Sequence, residues 1–96
     1  MTASWKTRWK ARVIVYPRQE ILDPQGKAIR DALHRVGFPE VHDVRAGKSF
    51  AIEIDAADAA EAEAQLRAMC EKLLANTVVE DYSIEVLGEA PREVNP

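Results

Sequence analysis

The chain of 96 residues has 13 Lys and Arg against 16 Asp and Glu, and its net charge of −3 predicts neither a nucleic-acid surface nor an acidic tail. This length allows one domain with a single core. Its one cysteine, Cys70, excludes an internal disulfide and a multi-cysteine metal site. The sequence contains no apolar run long enough to span a membrane and no signal-peptide pattern, which indicates a cytoplasmic protein.

The first predicted strand covers residues 8–16 and ends at Pro17. Its apolar residues alternate on one face: Trp9, Ala11, Val13 and Val15. The preceding residues 1–7 have no periodicity, and we expect a flexible arm there. Residues 88–96 contain two prolines and no pattern, so we expect a flexible tail there. The domain is therefore predicted to cover residues 8–87.

The first helix is predicted to begin at Asp23 or Pro24 and to end at Val36. Asp23 is a residue type that caps free amides, and Pro24 fits the next position, which needs no amide. Gly37 suits the left-handed residue that ends a helix, and Pro39 prevents continuation. One stripe at helical spacing is apolar: Ala28, Ile29, Ala32, Leu33 and Val36.

A hairpin is predicted after this helix, because the pattern changes to period two. The second strand is expected over Val41–Ala46 and the third over Ser49–Asp55, with Gly47 and Lys48 as a tight turn between them. The third strand is expected to turn three apolar residues inward: Phe50, Ile52 and Ile54.

The second helix is predicted from Asp58, whose spacing to Glu61 is that of a capping box. Its apolar stripe comprises Ala59, Ala62, Leu66, Met69 and Leu73. We expect Asn76 to end it in a left-handed conformation. The last strand is predicted over Glu80–Leu87 and turns three residues inward: Tyr82, Ile84 and Val86.

This order predicts an α+β protein of ferredoxin-like βαββαβ fold, with a four-stranded antiparallel sheet and two helices on one face. The other face is then left without a helix. It exposes Ile14, Tyr16 and Leu87, and a face this apolar favours self-association.

No residue pattern predicts catalysis or cofactor binding. Neither His34 nor His42 has a nucleophile placed near it by the sequence, and Cys70 belongs to the apolar side of its helix, so packing is the expected role. Glycine and lysine at positions 26 and 27 lack the full phosphate-binding loop. Arg45, Gly47 and Lys48 form a basic hairpin tip that suits a phosphate or the carboxylate of a partner. A solvated turn without a ligand is the alternative.

Four strings occur in order and with regular spacing over roughly residues 11–87: LDPQGKA, DVRAGK, EID and MCEKLLANTVVEDYSIEV. They resemble the PurS family, the small subunits of phosphoribosylformylglycinamidine synthase. The chain departs from the family in its extended N-terminus and at Thr77, where the family often has Pro.

The resemblance implies that this chain is a subunit of an ATP-dependent glutamine amidotransferase complex. The small subunit itself is expected to have no catalytic, cofactor-binding or metal-binding residues. The complex converts formylglycinamide ribonucleotide into formylglycinamidine ribonucleotide, the fourth step of de novo purine biosynthesis. The large synthetase subunit (PurL) binds ATP and Mg²⁺, and the glutaminase subunit (PurQ) releases ammonia. The small subunit, as a dimer or tetramer, bridges them and supports ammonia transfer.

Candidate interface residues are Ile14, Tyr16, Leu87, Gln25, Lys27, Arg45 and Lys48. The alternative function is a small regulatory ligand-binding module of ferredoxin-like fold. Such modules usually have a glycine-containing turn before the first helix, which the LDPQG stretch matches only in part. An independent enzyme is the third possibility.

Overall fold

The computed structural model describes residues 6–90, which form an α+β domain with three strands and two helices. The elements in chain order are β1 (Thr7–Pro17), α1 (Pro24–Arg35), β2 (Lys48–Ala56), α2 (Ala59–Met69) and β3 (Glu80–Glu89). A π-helical turn, Cys70–Leu74, continues α2.

The three strands form one antiparallel sheet in the order β2-β1-β3. Val13 at the centre of β1 pairs with Phe50 on β2 and Ile84 on β3. Because alternate residues point to opposite faces, the apolar residues gather on the face that α2 covers. The buried core comprises Ala11, Val13, Val15, Leu66, Cys70 and Ala75. The predicted inward faces of β1 and β3 are thereby confirmed.

A capping box fixes the start of α2, as its sequence predicts. Asp58 Oδ1 accepts the N–H of Glu61 at 2.8 Å. Glu61 Oε1 in turn accepts the N–H of Ala57 at 2.6 Å. Asp58 thereby pairs an amide that the first turn of a helix leaves free, and Glu61 pairs the amide of the residue just before the cap.

The end of α2 differs from the prediction. Ala75 donates its N–H to Cys70 O at 3.1 Å, across the wider π-helical turn. The extra residue in this turn changes the direction of the neighbouring side chains, so that Leu74 packs against the core and Leu73 is 82% exposed. The predicted inward placement of Leu73 is therefore wrong.

Asn76 does not take the predicted left-handed conformation, since glycines alone have positive φ among residues 6–90. Its carbonyl instead accepts the N–H groups of Val79 at 3.0 Å and Glu80 at 2.8 Å. Its side chain accepts the N–H of Val78 at 3.2 Å. Asn76 thus ends the helix by forming the turn that leads into β3.

Helix α1 begins at Pro24, as predicted, and ends at Arg35, one residue before the predicted Val36. Gly37 adopts a φ of +109°, and Phe38 donates its N–H to Leu33 O at 2.9 Å, which is the bond expected after a left-handed C-terminal residue. However, α1 makes no extensive contact with any other helix or strand of residues 6–90. The expectation that both helices cover one sheet face is wrong, because only α2 packs there.

The predicted strand at residues 41–46 is absent, and with it the fourth strand and the hairpin. These residues form an irregular segment, here called the strap, that runs along α1. His34 Nε2 lies 2.7 Å from Val41 O, and Asp23 Oδ2 accepts the N–H of Ala46 at 2.8 Å. Side chains at both ends of α1 therefore bind backbone groups of the strap, and these groups are no longer available to pair with a neighbouring strand.

The strands extend beyond the predicted domain limits. β1 begins at Thr7, and β3 continues through Gly88 and Glu89 after a register shift opposite Lys10 and Ala11. Gly88 has a φ of +134°, a conformation that glycine adopts without strain. The rest of the expected arm and tail, residues 1–5 and 91–96, lies outside the described residues.

Candidate functional site

An open cleft of about 460 Å³ lies at the end of β1 where the strap enters β2. We call it the Tyr16 cleft. Its lining residues are Ile14, Tyr16, Asp43, Arg45, Gly47, Lys48 and Ser49. Four of the seven candidate interface residues therefore share one surface: Ile14, Tyr16, Arg45 and Lys48.

Gly47 allows the strap to approach β1 closely enough to form this cleft. A side chain at this position would collide with the carbonyl of Val15 and with Cβ of Tyr16. Gly47 was predicted to lie in a hairpin turn, whereas its role in the structure is close backbone contact.

Arg45 is held over the cleft by three contacts. Its guanidinium carbon lies 5.0 Å from the centre of the Tyr16 ring, a cation–π geometry. Its Nε lies 3.6 Å from Asp43 Oδ2, and its Nη1 donates to Pro17 O at 3.4 Å. The charge of Arg45 is thus partly neutralised.

Lys48 contributes the less restrained positive charge. It is exposed, and its side chain forms no hydrogen bond or ion pair among the described residues. Ser49 follows it and is also exposed. A free ammonium group beside a hydroxyl and an aromatic ring can bind a carboxylate or phosphate of a partner, because the ammonium donates charge-assisted hydrogen bonds to such oxygens.

A smaller hollow of about 150 Å³ lies on the other side of Arg45. Part of its charged lining comes from α1 and the residue just before it, namely Asp23, Lys27 and Arg30. Lys27 pairs with Asp31 at 3.7 Å. Lys27 therefore neighbours the Tyr16 cleft without lining it, and Gln25 is exposed on the first turn of α1.

Leu87 lies apart from the Tyr16 cleft. An ion pair between Arg12 and Glu85, at 3.5 Å, lies on the sheet face between Leu87 and Ile14. The apolar candidates on the helix-free face are consequently not one continuous patch.

Asp23 has a pKa below its ordinary value. The largest cause is the hydrogen bond from the Ala46 N–H, followed by the amides of Gly26 and Gln25 near the same carboxylate. Its side chain forms no well-aligned capping bond to α1. The expected cap therefore serves mainly to attach the strap.

Cys70 lies in the core, where burial is the main cause of a raised thiol pKa, with the Glu71 charge adding to it. A thiol of this kind is a poor nucleophile. His34 contacts a backbone carbonyl and lies on α1, away from Cys70. Residues 6–90 contain no cluster of three or more metal-ligating side chains.

Sequence reasoning missed Asp43 and Ser49 as members of the site. The period-two pattern placed Asp43 on the sheet face, and nothing in the sequence indicated that the strap would fold over β1. Its only signal was the GK pair, which was interpreted as a turn.

Together, the sheet, the single covering helix and the charged cleft define a small α+β domain with an open charged surface. None of the helices in residues 6–90 is long and apolar enough to cross a membrane. The family model for phosphoribosylformylglycinamidine (FGAM) synthase, PurS, matches residues 10–88. The chain belongs to the PurS family of FGAM synthase subunits.

Known relatives match most of the chain. The PurS subunit of Bacillus subtilis is 46% identical over 78 residues, which cover 81% of this chain and 92% of that protein. The PurS subunit of Mycobacterium leprae is 51% identical over 75 residues, covering 78% and 91%. The family assignment made from the four strings is confirmed.

Solved structures agree with this assignment. The PurS subunit of FGAM synthase (EC 6.3.5.3) from Thermotoga maritima matches with a TM-score of 0.78 at 32% identity, covering 85% of this chain and 94% of that one. A chain in the structure of PurLQS from the same organism matches with a TM-score of 0.75 at 32% identity, covering 83% and 98%.

Proposed function

We propose that this chain is the small, non-catalytic subunit of a phosphoribosylformylglycinamidine synthase complex and bridges a large synthetase subunit, PurL, to a glutaminase subunit, PurQ. The supporting observation is the match to a chain of the PurLQS structure, which covers 98% of that chain. Such a complex acts in de novo purine biosynthesis and is expected in the cytoplasm.

In this proposal the chemistry belongs to the partners. The synthetase subunit binds ATP and Mg²⁺ and activates the substrate amide, and the glutaminase subunit releases ammonia. This chain binds no cofactor. It holds the two active sites together, so that ammonia is delivered at high local concentration instead of diffusing from solution.

The Tyr16 cleft is the surface that we assign to a partner subunit. It presents the free charge of Lys48 next to the partly neutralised Arg45 and the Tyr16 ring. Aromatic and arginine side chains are enriched where interfaces have most of their binding energy. An acidic segment of a partner fits this surface.

The bridging role is tested by comparing two nitrogen sources. Adding this chain to the synthetase and glutaminase subunits is expected to raise the rate with glutamine, while the rate with free ammonia changes far less. The purified chain alone is expected to show no ATPase or glutaminase activity. If the subunit changed neither the rate with glutamine nor the rate with free ammonia, the proposal would be contradicted.

The cleft is tested separately with Lys48→Glu. Reversing this exposed charge is expected to raise, severalfold, the concentration of this subunit that gives the half-maximal glutamine-dependent rate. The matched control is Lys72→Glu, an exposed lysine on the π-helical turn that makes the same change in net charge. Equal effects of both variants would show that the cleft has no special role.

A regulatory ligand-binding module is the second candidate, favoured by the volume of the Tyr16 cleft, about 460 Å³. Ligand pockets of this size are common, but they usually enclose their ligand. An increase in melting temperature with a free amino acid, in the absence of partner subunits, would support this candidate.

We also propose that the chain forms a dimer or tetramer. From the sequence, this contact is expected on the helix-free sheet face, and that location stays a prediction. Tyr16→Arg tests it, since forcing a charge into a buried contact would increase the monomer fraction in sedimentation.

A further inference from the structure

The connection between α2 and β3 carries two large apolar side chains that the described part of the chain leaves almost uncovered. Leu73 is 82% exposed and Val78 is 80% exposed, more than any large apolar side chain on the sheet or on α1. Single exposed apolar residues are common on protein surfaces, whereas two in one short connection indicate a contact surface. We call this pair the apolar ridge.

The π-helical turn places Leu73 in its exposed position. Ala75 donates its N–H to Cys70 O across this turn, and Leu74 packs against the core in place of Leu73. Turns of this kind are rare within helices and are found frequently at functional sites. Since Leu74 fills the core, the result of the turn is one additional leucine on the surface.

Val78 is held outward by a turn whose backbone is fixed. Val78 donates its N–H to Asn76 Oδ1 at 3.2 Å, and Asn76 O accepts the N–H groups of the next two residues, Val79 and Glu80. Arg18, just after β1, donates its N–H to Val79 O at 2.9 Å. A side chain on a fixed backbone loses little conformational freedom when it is bound, which favours binding.

The apolar ridge and the Tyr16 cleft belong to opposite faces of the sheet. Leu73 lies in the turn that continues α2, the helix that covers one face. Ile14 and Tyr16, which line the cleft, alternate with the buried residues of β1 and therefore lie on the helix-free face. A protein bound in the cleft and a protein bound at the ridge would thus approach this chain from different sides.

We propose that the apolar ridge binds the partner subunit that does not occupy the Tyr16 cleft, and that Leu73 and Val78 enter an apolar pocket of that subunit. This inference rests on the proposed bridging function and deepens it, because a bridge needs two separate binding surfaces. The two surfaces also differ in chemistry. The cleft presents the charges of Arg45 and Lys48 and the ridge presents none, so each surface rejects the partner that fits the other.

Photocrosslinking in the assembled complex tests this assignment. A benzophenone maleimide is attached to the Leu73→Cys variant and, in a second preparation, to the Lys48→Cys variant. The native Cys70 is buried and out of reach of the reagent. Each labelled chain is assembled with the purified synthetase and glutaminase subunits and irradiated, and the captured chain is identified by mass spectrometry. The two positions are expected to capture different subunits.

Leu73→Asp measures the contribution of the ridge, because its carboxylate would enter the apolar pocket unpaired. The dissociation constant for the partner captured at position 73 is expected to rise at least about tenfold. Leu73→Ser is expected to act in the same direction by a smaller factor. The matched control is Leu22→Asp, which makes the same change in net charge at a leucine that is 80% exposed in the loop before α1. It is expected to leave binding of that partner unchanged. Circular dichroism checks that each variant is folded.

Three results would overturn the inference. The first is capture of the same subunit from positions 73 and 48. The second is capture from position 73 of a second copy of this chain alone, or of no chain. The third is a folded Leu73→Asp variant that binds both partners as tightly as the unmodified chain does. The rates with glutamine and ammonia test bridging whichever surface is used, so failure of this inference and failure of the bridging role are distinguishable.

Discussion

Asp23 links α1 to the strap through one carboxylate oxygen, which accepts the Ala46 N–H at 2.8 Å. The charged form is the better acceptor, and the lowered pKa of Asp23 is the measure of this preference. A group whose pKa is lower in the folded state stabilises the fold above its unfolded pKa. That stability is lost as the pH falls through the folded pKa.

The first prediction follows from this sign. Lowering the pH from about 5 is expected to begin removing the contribution of Asp23 to stability near the ordinary pKa of Asp, about 3.9. The loss is complete only below the lowered pKa that Asp23 has in the folded protein. Asp23→Asn is expected to lower the melting temperature at neutral pH and to have a smaller effect in acid. Thermal unfolding at several pH values measures both effects.

Glu40→Gln is the control for Asp23→Asn, because Glu40 is an exposed carboxylate just before the strap with no hydrogen bond or ion pair among the described residues. It is expected to leave the melting temperature nearly unchanged at every pH. If the two variants lost stability in parallel, the strap attachment would not depend on the charge of Asp23.

At the scale of the element, the π-helical turn decides which of two neighbouring leucines enters the core. Leu74→Ala is expected to lower the free energy of unfolding by about 2 kcal/mol, because it removes packing against the core. Leu73→Ala is expected to change it by less than about 0.5 kcal/mol, since Leu73 is exposed. Urea unfolding of the two variants measures the difference.

A regular α-helix through residue 74 would give the opposite order, because Leu73 lies seven residues after the buried Leu66 and would then share its face. Larger destabilisation by Leu73→Ala than by Leu74→Ala would therefore contradict the π-helical turn. The two substitutions are chemically identical, so each serves as the control for the other.

For the whole molecule, the sequence predicted what local rules determine. The alternation in β1 and the capping box at Asp58 both act within a few residues, and both are confirmed. The stop of α1 at Gly37 is confirmed for the same reason.

The errors arise from contacts between distant parts of the chain. The alternation at residues 41–46 is typical of a strand, but Asp23 and His34 bind the backbone of the strap first. Period and propensity do not reveal such competition. The Tyr16 cleft was predicted only in part. The basic residues Arg45 and Lys48 were visible in the sequence, whereas the fold of the strap over β1 was not.

The attachment of α1 through the strap also determines how this molecule opens. Detaching α1 breaks the Asp23–Ala46 and His34–Val41 contacts and exposes little of the core around Val13 and Leu66. The amide hydrogens of α1 should therefore exchange with solvent faster than those of β1, through an opening that leaves the sheet intact.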